Sequence, residues 1–111
     1  HATALALVED EIPAVLAEQV IRVGGPVPVI PYVPTGSQEM ADAVAAMIGA
    51  SSRAVVIRNH GVFAAGSDLG QALGAMLATE EAARAYLLAR SIGVPAQLDQ
   101  PSLAHLRALG G

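Results

Sequence analysis

Asn59-His60-Gly61 stands between the apolar runs Ala54 to Ile57 and Val62 to Ala65, so its imidazole falls at a predicted break in structure. A neutral imidazole there can give one ring nitrogen to a divalent metal while a hydrogen bond fixes the other. The residues alone favour a histidine that only completes a turn, because spacing by itself does not establish a metal site. His1 and His105 are far away in sequence and form no helical or strand-spaced pair with His60. Lysine is absent, which excludes a Schiff base with a carbonyl substrate, so any chemistry on a carbonyl here would need another electrophile such as a metal ion. Cysteine is absent too, which excludes a thiolate nucleophile, a disulfide and a sulfur-bound metal.

The elements around His60 follow from pattern. Ala54 to Ile57 is rich in β-branched residues and too short for a helix, so it reads as a buried strand. Gly61 supplies turn freedom, and Val62 to Ala65 either runs on or pairs back. Ser67 or Asp68 then caps a helix from Leu69 to about Ser91, with Leu69, Leu73, Met76, Leu77, Ala83, Leu87 and Leu88 on its apolar face and Gly93 and Pro95 as its stop. Gly70 and Gly74 fit tight packing or a subunit contact. Glu80 and Glu81 read as solvated partners of Arg84 one turn on.

Upstream, Ala2 to Val8 suits a short helix, with Glu9-Asp10-Glu11 opening a loop because three acids oppose the dipole of a helix C-terminus. Pro13 suits the first turn of a second helix, Ala14 to about Ile21, with Val15, Leu16 and Val20 toward the core and a plain turn at Gly24-Gly25. Pro26 to Pro34 alternates proline with valine, isoleucine and tyrosine, which predicts an extended edge strand. Thr35 or Ser37 caps a third helix whose inner face is Met40, Val44, Met47 and Ile48, closed by residues 49–52. The tail from Pro101 forms a short helix with Leu103, Leu106 and Leu109 on one side and His105 at the surface.

With 111 residues, 53% of them apolar, the sequence is read as a single domain, residues 1–111, with enough material for a core. A net charge of −4 and six scattered arginines make no basic stripe, so no nucleic-acid partner is expected. No apolar run approaches the roughly 18 residues needed to span a bilayer, so no membrane partner is expected and the assignment is cytoplasmic.

Asn59-His60-Gly61-Val62 followed by Gly66-Ser67 and a helix carrying Thr79-Glu80-Glu81-Ala82-Ala83 resembles the class II aldolase/adducin family. So do Ala2-Thr3-Ala4, Ile12-Pro13 and the run from Val27-Pro28-Val29-Ile30-Pro31-Tyr32 to Thr35-Gly36-Ser37-Gln38-Glu39-Met40-Ala41. Their shared order over nearly the whole chain is more specific than any one segment. The resemblance implies an α/β fold of three layers, helices packed on a mainly antiparallel central sheet, incomplete because only the C-terminal portion of the domain is matched. It implies that His60 is the third histidine ligand of a Zn²⁺ or another divalent metal. The other two ligands of the family form a His-x-His step just upstream of Ala2-Thr3-Ala4, and His1 falls after that pair at a position the family does not use.

The activity implied is that of a metal-dependent lyase, cleaving a C–C bond of a small phosphosugar or hydroxy-acid substrate through a metal-stabilised enediolate, with the 111 residues inactive by themselves. Epimerase and decarboxylase members stay open, as does a non-catalytic assembly module like the adducin heads, although the retained His60 favours an enzyme. Aldolase members also use a tyrosine soon after the Ile-Pro step, where this chain reads Ala14-Val15-Leu16-Ala17-Glu18. A small-molecule substrate and a homo-tetramer are the implied partners.

Overall fold

The computed structural model describes residues 1–49 and 52–110. Within them the chain forms an α/β fold around a four-stranded sheet of order β1-β2-β3-β4. The strands are β1 (Glu11–Ile12), β2 (Val27–Ile30), β3 (Ala54–Ile57) and β4 (Gly61–Ala64), and the helices are α1 (Ala2–Leu5), α2 (Ala17–Val23), α3 (Gln38–Met47), α4 (Leu69–Arg90) and α5 (Gln100–Gly110). β1 and β2 pair antiparallel, β2 and β3 parallel, and β3 and β4 antiparallel. The sheet is therefore mixed, with antiparallel pairing predominant.

β3 is the spine, and all four of its residues are buried. Ala54 and Val56 face a core with Ala2, Leu5, Ile12, Val23, Val27, Ala75, Ala78, Ala82 and Ala83. Val55 and Ile57, of opposite parity along the strand, are also fully buried, so both faces of the strand are covered. Helices α1 and α4 pack on β3 and β4, and α3, the crossover between the parallel strands, packs on β3 as well. Arginines close the strand at both ends. Arg53 donates to the carbonyls of Ile21, Arg22 and Gly110, at the last turns of α2 and α5.

The stretch from Pro26 to Pro34, expected at an edge, instead contributes an interior strand. Val27 and Pro28 pair with β1, whereas Val29 and Ile30 pair with β3. The parallel register begins directly after Pro28, so the proline's missing N–H falls outside that ladder. β1 escapes sequence reading because two residues carry no period.

The second helix starts at Ala17, three residues later than its apolar pattern predicts. The cause is Gln19, whose side chain is fully buried. Its Oε1 accepts from the N–H of Val15 (3.1 Å) and Leu16 (3.5 Å), while Nε2 donates to the carbonyls of Ile12, Pro13 and Gly25. These bonds engage backbone groups of residues 12–16, so the segment stays out of the helix. Gly24 ends the helix in the left-handed region at φ 113°, with its N–H on the carbonyl of Val20.

Ser37, not Thr35, caps α3 by accepting from the N–H of Met40 at 3.0 Å. The face formed by Met40, Val44, Met47 and Ile48 is half-buried, and none of the helix's residues is fully buried. Of the residues 49–52 expected to close the helix, Ala50 and Ser51 lie outside the described residues.

Asp68, not Ser67, caps α4 by accepting from the N–H of Gln71 at 2.7 Å. Of the apolar face predicted for α4, Ala83 is buried and Met76 half-buried, but the leucines point to solvent. The buried residues are Ala75, Ala78, Thr79, Ala82 and Ala83, while Leu69 is 89% exposed, Leu73 58%, Leu77 61% and Leu88 53%. Alanines let the helix approach the sheet closely, which bulkier side chains on that face would prevent. Gly74 lies against Arg22 of α2, so its missing side chain makes room for a guanidinium, not for a second backbone.

Candidate metal-ligand turn

His60 sits on the turn Arg58-Asn59-His60 that joins β3 to β4, and the second strand pairs back on the first from Ile57↔Gly61 to Ala54↔Ala64. The turn is closed by a hydrogen bond from the His60 N–H to the carbonyl of Ile57 at 3.0 Å. Its left-handed residue is Asn59 at φ 66°, a conformation asparagine tolerates better than other side chains. Gly61, expected to carry the turn, keeps ordinary strand geometry and opens β4.

The imidazole is exposed at the end of the hairpin. Its ring meets that of Phe63 edge-on, centroids 5.6 Å apart and planes at 62°. Among the described residues no side chain hydrogen bonds to the His60 ring, so protein hydrogen bonds there leave both nitrogens to solvent or a ligand. Among the same residues no group of three His, Cys, Asp or Glu side chains comes together to hold a metal ion. Imidazole chemistry fits a borderline cation such as zinc, and this chain brings one such donor to the turn.

Arg58 escaped sequence reading, because its partners are some fifty residues away. Its Nε donates to the carbonyl of Ala6 at 2.7 Å, and Nη2 donates to the carbonyl of Glu9 at 3.0 Å and to Asp10 Oδ1 at 2.9 Å. The Arg58 N–H continues onto the carbonyl of Ile30 at 3.0 Å. The base of the turn is thereby tied to the loop between α1 and β1 and to the end of β2. That loop is held a second time, by an ion pair between Glu9 and Arg90 at the end of α4.

Glu80 also departs from its expected role. Glu81 pairs with Arg84 at 3.4 Å, but Glu80 turns inward to the start of α1. It accepts from the backbone nitrogen of His1 at 2.8 and 2.9 Å, from the N–H of Ala2 at 2.8 Å, and lies 2.6 Å from His1 Nδ1. Partial burial pushes the Glu80 carboxyl up, yet the hydrogen bonds it accepts at the start of α1, from the His1 nitrogen and the Ala2 N–H, outweigh it and hold the carboxyl below the usual glutamate range. His105 is exposed on α5 and does not join His60 in any cluster among the described residues.

A short first helix, a mixed sheet and a histidine-bearing hairpin under a long helix define an α/β domain of recognisable type. Residues 1–87 match the family model described as the class II aldolase and adducin N-terminal domain, and the chain belongs to the class II aldolase/adducin family. It is 32% identical over 96 residues to L-fuculose phosphate aldolase of Haemophilus influenzae, an alignment covering 85% of this chain and 43% of that protein. Among solved structures, an L-fuculose 1-phosphate aldolase superposes with a TM-score of 0.87 at 31% identity, over 96% of this chain and 50% of the other. YgbL of Escherichia coli, a candidate aldolase/epimerase/decarboxylase, superposes at 0.79 with 28% identity, over 96% of this chain and 52% of its own. The chain thus spans about half the length of the relatives it matches. Among the described residues no helix is long and apolar enough to cross a membrane.

Proposed function

We propose that this chain forms part of a metal-dependent aldolase acting on a small phosphorylated sugar, with His60 as one ligand of a Zn²⁺ or similar ion. The observation that carries the reading is the exposed imidazole at the tip of a rigid hairpin, its ring nitrogens unengaged by protein hydrogen bonds among the described residues. Family membership supports the reaction class, and the name of the Haemophilus influenzae relative supports the substrate class. A catalytic zinc takes about three protein ligands and keeps one position open. The remaining donors would come from residues outside this set or from a neighbouring copy, which suits a homo-oligomer.

When bound, such an ion acts as a Lewis acid that polarises a substrate carbonyl and offsets negative charge developing as a carbon–carbon bond breaks. The protein's own part is narrower. The turn holds the imidazole in place, and Phe63 packs against one edge of the ring. These 111 residues contain no lysine, so none of them can activate a carbonyl through a side-chain imine.

The test is metal analysis of the full-length protein and its His60→Ala variant after dialysis against zinc. The expected result is about one equivalent of zinc in the first and a loss in the second, with aldol cleavage of a phosphorylated sugar lost in parallel. Equal zinc in both would remove His60 from the site.

A further inference from the structure

The geometry points to Arg58 as the positioning residue of the proposed metal ligand, a guanidinium strut that fixes where His60 stands relative to the α1–β1 loop. The inference rests on the reading of His60 as a ligand and adds to it the group that holds the ligand still. His60 is exposed on a turn of three residues, and a ligand on such a turn wanders unless its neighbours are pinned. Asn59 and the Ile57–His60 hydrogen bond shape the turn internally, but neither ties it to the rest of the domain. Arg58 does.

Three features separate a strut from a surface arginine. First, its side chain is only 30% exposed, and two of its nitrogens serve three acceptors from three different residues. Second, two of those acceptors are main-chain carbonyls, at Ala6 and Glu9, so the grip does not depend on a mobile carboxylate. The planar fork of arginine is suited to such a set, which a lysine ammonium cannot reproduce. Third, the gripped loop is itself anchored, because Glu9 also pairs with Arg90 of α4. An unbroken run of polar contacts joins the hairpin turn to the longest helix.

The test compares Zn²⁺ affinity and the visible spectrum of the Co²⁺-loaded form in the full-length protein and in Arg58→Gln, Arg58→Lys, Asp10→Asn and His60→Ala. Circular dichroism and thermal unfolding of the metal-free proteins serve as the folding control. Arg58→Gln is expected to stay folded and bind Zn²⁺ about 10- to 100-fold more weakly, the usual range for losing a residue that orients a ligand, with an altered Co²⁺ spectrum. Arg58→Lys is expected to recover part of that loss. Asp10→Asn, which leaves both carbonyl contacts in place at a 98% exposed position, is expected to change affinity less than about threefold.

If Arg58→Gln only lowers the melting temperature, with Zn²⁺ affinity and Co²⁺ spectrum as in the parent while His60→Ala loses metal, Arg58 is a stabilising residue and the strut is wrong. If His60→Ala keeps its metal, the ligand reading itself fails and the strut falls with it. Should Arg58→Gln not fold, Arg58→Lys carries the comparison, and parental affinity and spectrum in that variant overturn the inference.

Discussion

The carboxylate of Glu80, near the middle of α4, accepts a hydrogen bond from the N–H of Ala2 at 2.8 Å, across 78 positions of sequence. A residue of the longest helix thus serves as the N-terminal cap of the shortest, whose own N-cap position, His1, gives no side-chain cap. The contact ties α1 to α4 at one point and closes a donor the short helix would otherwise leave open.

Removing that cap has a definite cost. Glu80→Ala is expected to destabilise the domain by about 1 kcal/mol, the usual value for a lost N-cap, measured by urea unfolding at neutral pH. The carboxyl is held below the ordinary glutamate range, so its contribution is present above that range and disappears as pH falls through the lowered value. The difference between parent and variant should therefore shrink in acid. A difference that grew in acid would contradict the assignment.

Gln19 predicts a larger effect. Replacing it with leucine keeps the volume but strands two N–H groups and three carbonyls around a fully buried site. Each buried group left without a partner costs about 1–3 kcal/mol, so Gln19→Leu should lose several kcal/mol or fail to fold, while Glu18→Ala on the exposed side stays within about 0.5 kcal/mol. Denaturant midpoints of the two variants decide it.

The turn residue is separable from the ligand. Asn59 at φ 66° makes Asn59→Ala unfavourable by about 1–2 kcal/mol, whereas Asn59→Gly fits the conformation freely. Thermal unfolding should rank the parent and the glycine variant together above the alanine variant.

Leucines of α1 and α4 differ in what they hold. Leu5→Ala, in the core beneath α1, is expected to cost about 2–5 kcal/mol, whereas Leu77→Ala on α4, 61% exposed, should change stability little. Leu69, Leu73, Leu77 and Leu88 together form an apolar stripe on the solvent side of the helix, and such stripes promote association. Light scattering of the 111-residue chain is expected to give a mass well above 11.2 kDa, and the double variant Leu73→Glu, Leu77→Glu to lower it. A monomer in the parent would refute this.

What the sequence made legible follows from how local each signal is. Strand β3 and the span of α4 were readable because β-branched residues and a Ser67-Asp68 cap signal lie within a few positions of the elements they mark, whereas the pairing of β4 back onto β3 was one of two alternatives the sequence left open. The inward face of α4 was not. Hydrophobicity ranks leucine above alanine, but close packing on the sheet selected the smaller residue, so the leucines mark the outer side of the helix. Gln19, Arg58 and Glu80 reach partners fixed only by the tertiary fold, and a pattern search sees each as an ordinary polar residue. His60 was legible as a turn residue from pattern alone, and its reading as a ligand came from family resemblance.

The split allegiance of β2 bears on how the domain assembles in time. Its first half joins β1 and its second half joins β3 across the whole α3 crossover, so the parallel seam can close only after a long excursion of chain. The β3–β4 ribbon needs only a three-residue reversal, and such ribbons form in about 1–10 μs. The turn bearing His60 can therefore be among the earliest pieces of tertiary geometry to form, and Arg58 would lock onto the α1–β1 loop only in a later step. Pulsed hydrogen exchange during refolding would register that sequence as protection of Ala65, whose N–H donates to the carbonyl of Arg53, ahead of Arg58, whose N–H donates to the carbonyl of Ile30.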